Sequence, residues 1–288
     1  MGNKFLYYLT PILRVFVFVF FIFLWAVPFG FLSQLGVFKF SPDGLSGQLF
    51  SEVCAILVVI GALLMIFHIY PTRNFETVFI KSDLLVPFFK GGLTGLLLIG
   101  SCALIMFLAG NVMFTTTQIN LLDIVGYMFF FIFVGIFEEF TFRSFPLVVF
   151  AERYLIAFTV ILNGLLFGLI HLSNPGFSLL AMINISLCGV LFAIITLTKR
   201  NIWWSVGIHF GWNFTQGNLL GFKVSGINQS GLVAANPKGN YLLSGASFGI
   251  EGSVICTVIL IIYITWLIIK LKIPPVIEIE NHHELIEE

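Results

Sequence analysis

Six polar residues of this 288-residue chain stand in apolar surroundings: Glu138, Glu139, Arg143, His171, His209 and Asn213. Their types suggest proton handling. A carboxylate that meets an imidazole can take a proton and return it, the basis of general acid–base catalysis. Their spacing adds geometry. Glu139 and Arg143 are four apart, so on a helix they share a face and can pair. Glu138 is turned by about 100° from Glu139 on the same helix, which leaves it clear of that arginine and able to face another element. His209 and Asn213 are also four apart and also share a face.

The surroundings decide what such residues mean. The chain is 59% hydrophobic and 10% charged, with a mean hydropathy of +1.05. A soluble domain has about 45–50% apolar and about 25% charged residues, so the main solvent of this chain is lipid. Net charge is zero, which gives no basis for nucleic acid as a partner. Ionised groups at bilayer depth cost at least about 2.5–3.5 kcal/mol on insertion scales, so they pair, line a wet cavity or do chemistry.

Apolar runs long enough to form spans occur near 12–35, 51–70, 87–109, 121–152, 154–172, 178–197, 202–221 and 250–270. They predict an all-α integral membrane protein, a bundle of about eight transmembrane helices with the polar residues inside it. The first run follows Lys4 and Arg14 and is too long for a signal peptide, so it is read as a retained helix. Four regions follow: N-terminal helices (1–120), a core with the polar residues (121–221), a loop and last helix (222–272), and an acidic polar tail (273–288). Lys4, Arg14, Arg73, Lys81, Lys90, Arg153, Lys199, Arg200, Lys270 and Lys272 fall at one set of helix ends, and Lys39, Lys223 and Lys238 at the other. By the positive-inside rule both termini are cytoplasmic, in a plasma membrane of the bacterial type. Cys54, Cys102, Cys188 and Cys256 are far apart in apolar runs and read as packing residues. Gly91 with Gly95, and Gly164 with Gly168, have the spacing that lets helices approach closely.

The charged stretch 138–143 could instead be a cytoplasmic loop, with solvated charges. Position along the chain weighs against that. Glu138 lies about 15 residues before the polar turn Glu152-Arg153-Tyr154, and His171 about 17 after it, so a helical hairpin brings both to roughly 22–26 Å from the turn. His209 is harder to place: counted from Lys199-Arg200 it sits only about 12 Å deep, some 10 Å short of Glu138. Pro146 removes a backbone hydrogen bond and crowds the carbonyl of Phe142, which predicts a kink beside the charged stretch. Gly245-Ala246-Ser247-Phe248-Gly249 spells a nucleophile-elbow motif, but outside the strand–turn–helix setting that would give it meaning.

Glu138-Glu139-x-x-x-Arg143, Phe167-x-x-x-His171 and His209-x-x-x-Asn213, in this order, resemble the three motifs of the CAAX-protease and bacteriocin-processing (CPBP, or Abi) family of intramembrane proteases. The resemblance covers roughly 121–220. One departure is Ser144, where many members carry glycine. The resemblance implies hydrolysis of a peptide bond in a membrane-associated or lipidated peptide or protein. It implies that Glu138 with His171 activates a water, that His209 and Asn213 stabilise the oxyanion, and that Glu139, Arg143 and Phe167 support them. His171, His209 and Glu138 could also serve as zinc ligands, and the resemblance leaves metal-dependent and metal-free versions open. The rival functions are a non-catalytic immunity or scaffold protein and a proton-coupled transporter. No inverted repeat supports transport.

Overall fold

The computed structural model describes residues 3–37, 40, 41 and 44–271. The acidic tail, His282 and His283, and the basic residues Lys39 and Lys272 lie outside the described residues. All eight apolar runs fold as helix. They form α1 (Asn3–Gln34), α2 (Leu45–Ile69), α3 (Leu85–Leu108), α4 (Leu121–Arg143) with α5 (Phe145–Ala151), α6 (Ile156–Leu169), α7 (Leu179–Lys199), α8 (Trp203–Phe214) and, after a one-turn α9 (Tyr241–Ser244), α10 (Val254–Leu271). Six stretches are long and apolar enough to cross a membrane: α1, α2, α3, α4 with α5, α7 and α10. With exposed apolar side chains on α1, α3 and α10, this makes the protein an all-α integral membrane protein. Helix α6 has 14 residues and α8 has 12, about 21 and 18 Å at the α-helical rise, against a hydrocarbon core of about 30 Å. Hydropathy counts the apolar turn Ile170–Leu172 into the first of these runs, so the expected span 154–172 overshoots its helix.

One element was not anticipated. Strands β1 (Val112–Thr116) and β2 (Val233–Pro237) pair antiparallel, with Phe114 opposite Ala235. They tie the connection after α3 to the loop after α8. Five residues with a β-branched and aromatic bias are too few to stand out beside long apolar helices.

Helix α8 is held between α3 and α4 by glycines. A Cβ on Gly91 or Gly95 would lie 2.4 Å from the carbonyl of Trp204 or 2.1 Å from that of Ile208. In return, a Cβ on Gly207 or Gly211 would lie 2.2 Å from the Phe88 carbonyl or 2.0 Å from that of Gly92. Two small-residue ridges therefore interlock backbone against backbone, where lipid supplies no hydrophobic drive and close packing must hold the helices. Gly135 of α4 faces the carbonyl of Val206 at 3.3 Å by the same measure, so α4 approaches α8 from another side. Gly164 and Gly168 of α6 take up Ser186, Val190 and Met182 of α7. The anticipated glycine pairs both serve contacts, and Gly207 with Gly211 is their unforeseen counterpart.

Gly95→Val should cost on the order of 3 kcal/mol, the upper part of the range for overpacking, because its neighbour is backbone that cannot rotate away. Gly100→Ala, with nothing within 4 Å, should be neutral or stabilising by up to about 1 kcal/mol. Thermal unfolding in detergent micelles checks both, and equal effects would count against the interlocked seam.

Candidate active site

The site begins with a broken helix. Helix α4 ends at Arg143, the chain turns at Ser144 (φ −84°, ψ −118°), and α5 starts with Pro146 in its first turn. Pro146 has no N–H to offer the carbonyl of Phe142, four residues earlier. The side chain of Asn163 on α6 donates to that carbonyl instead, at 2.8 Å. The Ser144 hydroxyl closes on the carbonyl of Phe140. The expected kink is thus a full interruption, and it removes the depth mismatch. Glu138 lies six residues before Ser144, and His209 lies six after Trp203, so each is about 9 Å from the end of its own helix. Counting back from residue 152 as one straight helix overstated the depth of Glu138.

The two glutamates part as expected. Glu139 is fully buried and its Oε1 accepts from Arg143 Nη1 at 3.2 Å. The same oxygen accepts from His209 Nδ1 at 3.0 Å. Arg143 is also fully buried, donates from Nη2 to the carbonyl of Gly189 on α7 at 3.2 Å, and lies over the Phe167 ring at 4.2 Å. Glu138 retains 19% exposure of its side chain, and its Oε2 lies 3.8 Å from His209 Nε2. With Nδ1 engaged by Glu139, the imidazole of His209 presents Nε2 to Glu138. Its ring stacks on Phe192, at 5.1 Å between centroids.

His171 sits in the turn after α6 rather than in a span. Its Nδ1 lies 2.8 Å from the carbonyl of Phe167, and its ring meets the edge of Phe167. Among the described residues, Glu138 has its ion-pair contact with His209 and has none with His171. The two residues meet by lining one cavity. That cavity, of about 450 Å³, is lined by Glu138, His171, His209, Asn213 and Phe167, while Glu139 and Arg143 stand behind its wall. All four residues expected to do chemistry therefore face one space.

Sequence reasoning missed other residues that line the space or shape it. Glu52 and Gln48 on α2 and Glu251 before α10 line it, as do Asn174 and Ser225. Glu52 and Glu251 stand within the first residues of apolar runs, where a charge reads as a boundary. Asn163 carried the same signal as the histidines, a polar side chain amid an apolar run.

The metal alternative can be tested on the donors. The Nδ1 bonds of His171 to Phe167 and of His209 to Glu139 leave each Nε2 available as a ligand atom, but among the described residues no three His, Cys, Asp or Glu side chains gather closely enough to hold an ion. The set His171, His209 and Glu138 does not fit a zinc centre in this arrangement.

Glu139→Gln should destabilise the protein by about 3–5 kcal/mol, the range for breaking a buried pair from one side, because Arg143 then keeps its charge without a counter-ion. Glu139→Gln combined with Arg143→Met should recover part of that loss. Thermal unfolding of the purified variants decides, and an unchanged midpoint in the single variant would sink the pairing.

No curated protein and no solved structure matches the chain significantly. Residues 120–215, about a third of the sequence, match the family described as Rce1-like, type II CAAX prenyl endopeptidase. The matched segment contains Glu138, Glu139, Arg143, Phe167, His171, His209 and Asn213, and over it the chain is similar to the CAAX-protease (CPBP) family.

Proposed function

We propose that this protein is an intramembrane endopeptidase that cleaves a membrane-associated or lipidated peptide by a glutamate-type, metal-free mechanism. The observation that carries the proposal is the convergence of Glu138, His171, His209 and Asn213 on one cavity inside the helix bundle. The family supports peptidase activity in a membrane, and the roles below are our assignment.

Glu138 has a carboxylate oxygen that is buried without a hydrogen-bond partner and lines the cavity. With His171 it takes a proton from a water. The water oxygen bonds to the scissile carbonyl carbon, and the carbonyl π electrons move to oxygen. Asn213 donates to that oxyanion from its amide, and His209, as the doubly protonated imidazolium with Nδ1–H given to Glu139, donates from Nε2–H. Collapse re-forms the carbonyl, breaks the C–N bond, and the leaving amine takes the proton from Glu138. Fixed donors aimed at developing charge in a site of low dielectric supply a large share of such a barrier reduction.

In the same proposal, α6 and α8 complete eight crossings. Both lie against protein, α6 on α7 and α8 on α3 and α4, where short helices are tolerated. With eight crossings, the bias of the basic residues counted above supports a cytoplasmic location of both termini. The core 121–221 supplies the reacting groups, and the helices of 1–120 and 222–272 close the walls around it.

The test is cleavage of an internally quenched peptide with a prenylated CAAX C-terminus by the protein in lipid nanodiscs. Glu138→Gln should lower kcat/KM at least 100-fold with an unchanged unfolding temperature, in line with about 10²–10⁴ for a general base. Asn213→Ala should lower kcat by about 10²–10³, the range for one oxyanion donor. Full cleavage by Glu138→Gln would remove the catalytic assignment. Dialysis against a strong chelator should leave the rate within about twofold of the untreated enzyme, since no ligand set gathers among the described residues. A rate lost to the chelator and restored by zinc would overturn the metal-free mechanism.

A further inference from the structure

Glu251 is a buried carboxylate that the proposed reaction does not use. It stands in a short turn (Ile250–Gly252) before α10, outside the family-matched segment, and it lines the cavity. Its exposure is 4%, and burying a carboxylate is costly unless its oxygens are bonded. They are. Oε1 accepts from Trp212 Nε1 at 3.3 Å. Oε2 accepts from Gln216 Nε2 at 3.2 Å and from the backbone N–H of Ser225 at 2.7 Å. Trp212 adjoins Asn213 in sequence, so one oxygen steadies α8 beside the proposed oxyanion donor.

The other oxygen leads to His171. Ser225 has φ of +47°, a left-handed conformation that a residue with a Cβ holds only when its surroundings impose it. Its two backbone groups are both held. The N–H goes to Glu251, and the carbonyl accepts from Asn174 Nδ2 at 2.9 Å. Asn174 in turn closes the His171 turn, its N–H donating to the His171 carbonyl at 3.0 Å. A chain of three hydrogen bonds therefore runs from Glu251 through a strained serine to the turn that carries His171. On the far side, the Glu251 carbonyl accepts from Asn184 of α7 at 2.7 Å, which anchors the start of the chain to the most buried of the six long apolar helices.

We infer that Glu251 is a positioning residue for His171, acting through Ser225 and Asn174. Its consequence for catalysis rests on the hydrolase assignment above, and its effect on the imidazole does not. The experiment has two readouts on the full chain in detergent micelles. The first is the rate at which diethyl pyrocarbonate modifies His171 and His209, followed by peptide mass spectrometry. Glu251→Gln and Asn174→Ala should each raise the His171 rate at least threefold, leave His209 within twofold and keep the unfolding temperature within a few degrees. The double variant should be no more reactive than the singles, because both break one chain. A general loosening of the fold would move both histidines and the melt together. The second readout is cleavage of the quenched peptide: kcat should fall at least tenfold in each variant, with KM within twofold. An unchanged His171 rate, or additive effects in the double variant, overturns the positioning role, whatever the cleavage result. Should Glu251→Gln fail to fold, Asn174→Ala still decides, since the same rise at His171 is required of it. Absence of cleavage by the wild type together with the expected His171 rates would reject the hydrolase assignment and leave the positioning role standing.

Discussion

A guanidinium sealed from water inside a helix bundle needs partners for its charge, and the arrangement of Arg143 organises the helices around it. One of its nitrogens reaches Glu139, another reaches the Gly189 carbonyl, and the rings of Phe167 and Phe192 cover its faces at 4.2 and 5.2 Å. Those partners lie on α4, α6 and α7. The same Glu139 oxygen also accepts from His209, which adds α8. Sliding any of these helices would strand a charge in low dielectric, which costs several kcal/mol. The cluster thus selects one register for four helices, and the imidazole that faces the cavity is oriented by the pair that fixes the fold.

That register needs helices closer than side chains normally allow. Gly189 brings the α7 backbone within reach of Arg143; a Cβ there would meet the guanidinium at 3.2 Å and the Gly164 Cα at 2.8 Å. The interlocked glycines of α3 and α8 set the height of His209 and Asn213. The break at Ser144 sets the height of Glu138. Asn163 makes the break tolerable by donating to the carbonyl that Pro146 cannot serve. In lipid no water could fill that role, so a single amide supplies it.

Much of this was legible in the sequence, for physical reasons that also mark where legibility stopped. Charged and polar residues in apolar runs are conspicuous because lipid makes them costly, and four of them do share a cavity. The pairing of Glu139 with Arg143 follows from helical period alone. Depth was misjudged because a rise per residue applies only to an unbroken helix, and Pro146 announced the break without its sharpness. His171 was placed in a span because Ile170 and Leu172 hide the helix end from hydropathy. Glu251 and Glu52 were overlooked because a charge at the edge of an apolar run has a solvated reading. Only tertiary packing turns them inward. The pairing of β1 with β2 is long-range, and nothing local encodes the partner of a five-residue strand.

Glu138 and Glu139 are chemically identical neighbours, yet their environments are opposites. One is fully buried, with an oxygen shared by an arginine and a histidine; the other keeps 19% of its side chain exposed and has His209 Nε2 3.8 Å away. The difference arises from rotation by about 100° along one helix. A reacting carboxylate must be free to gain and lose a proton, whereas a carboxylate that locks helices together must keep its charge, and one side chain cannot meet both demands. Placing them side by side lets a single imidazole answer to both: Nδ1 is held by the fixed carboxylate and Nε2 is offered to the free one. The packing that holds the bundle together is therefore the same packing that aims the cavity's polar groups, and Glu139, behind the wall, is linked to Glu138 in front of it through His209.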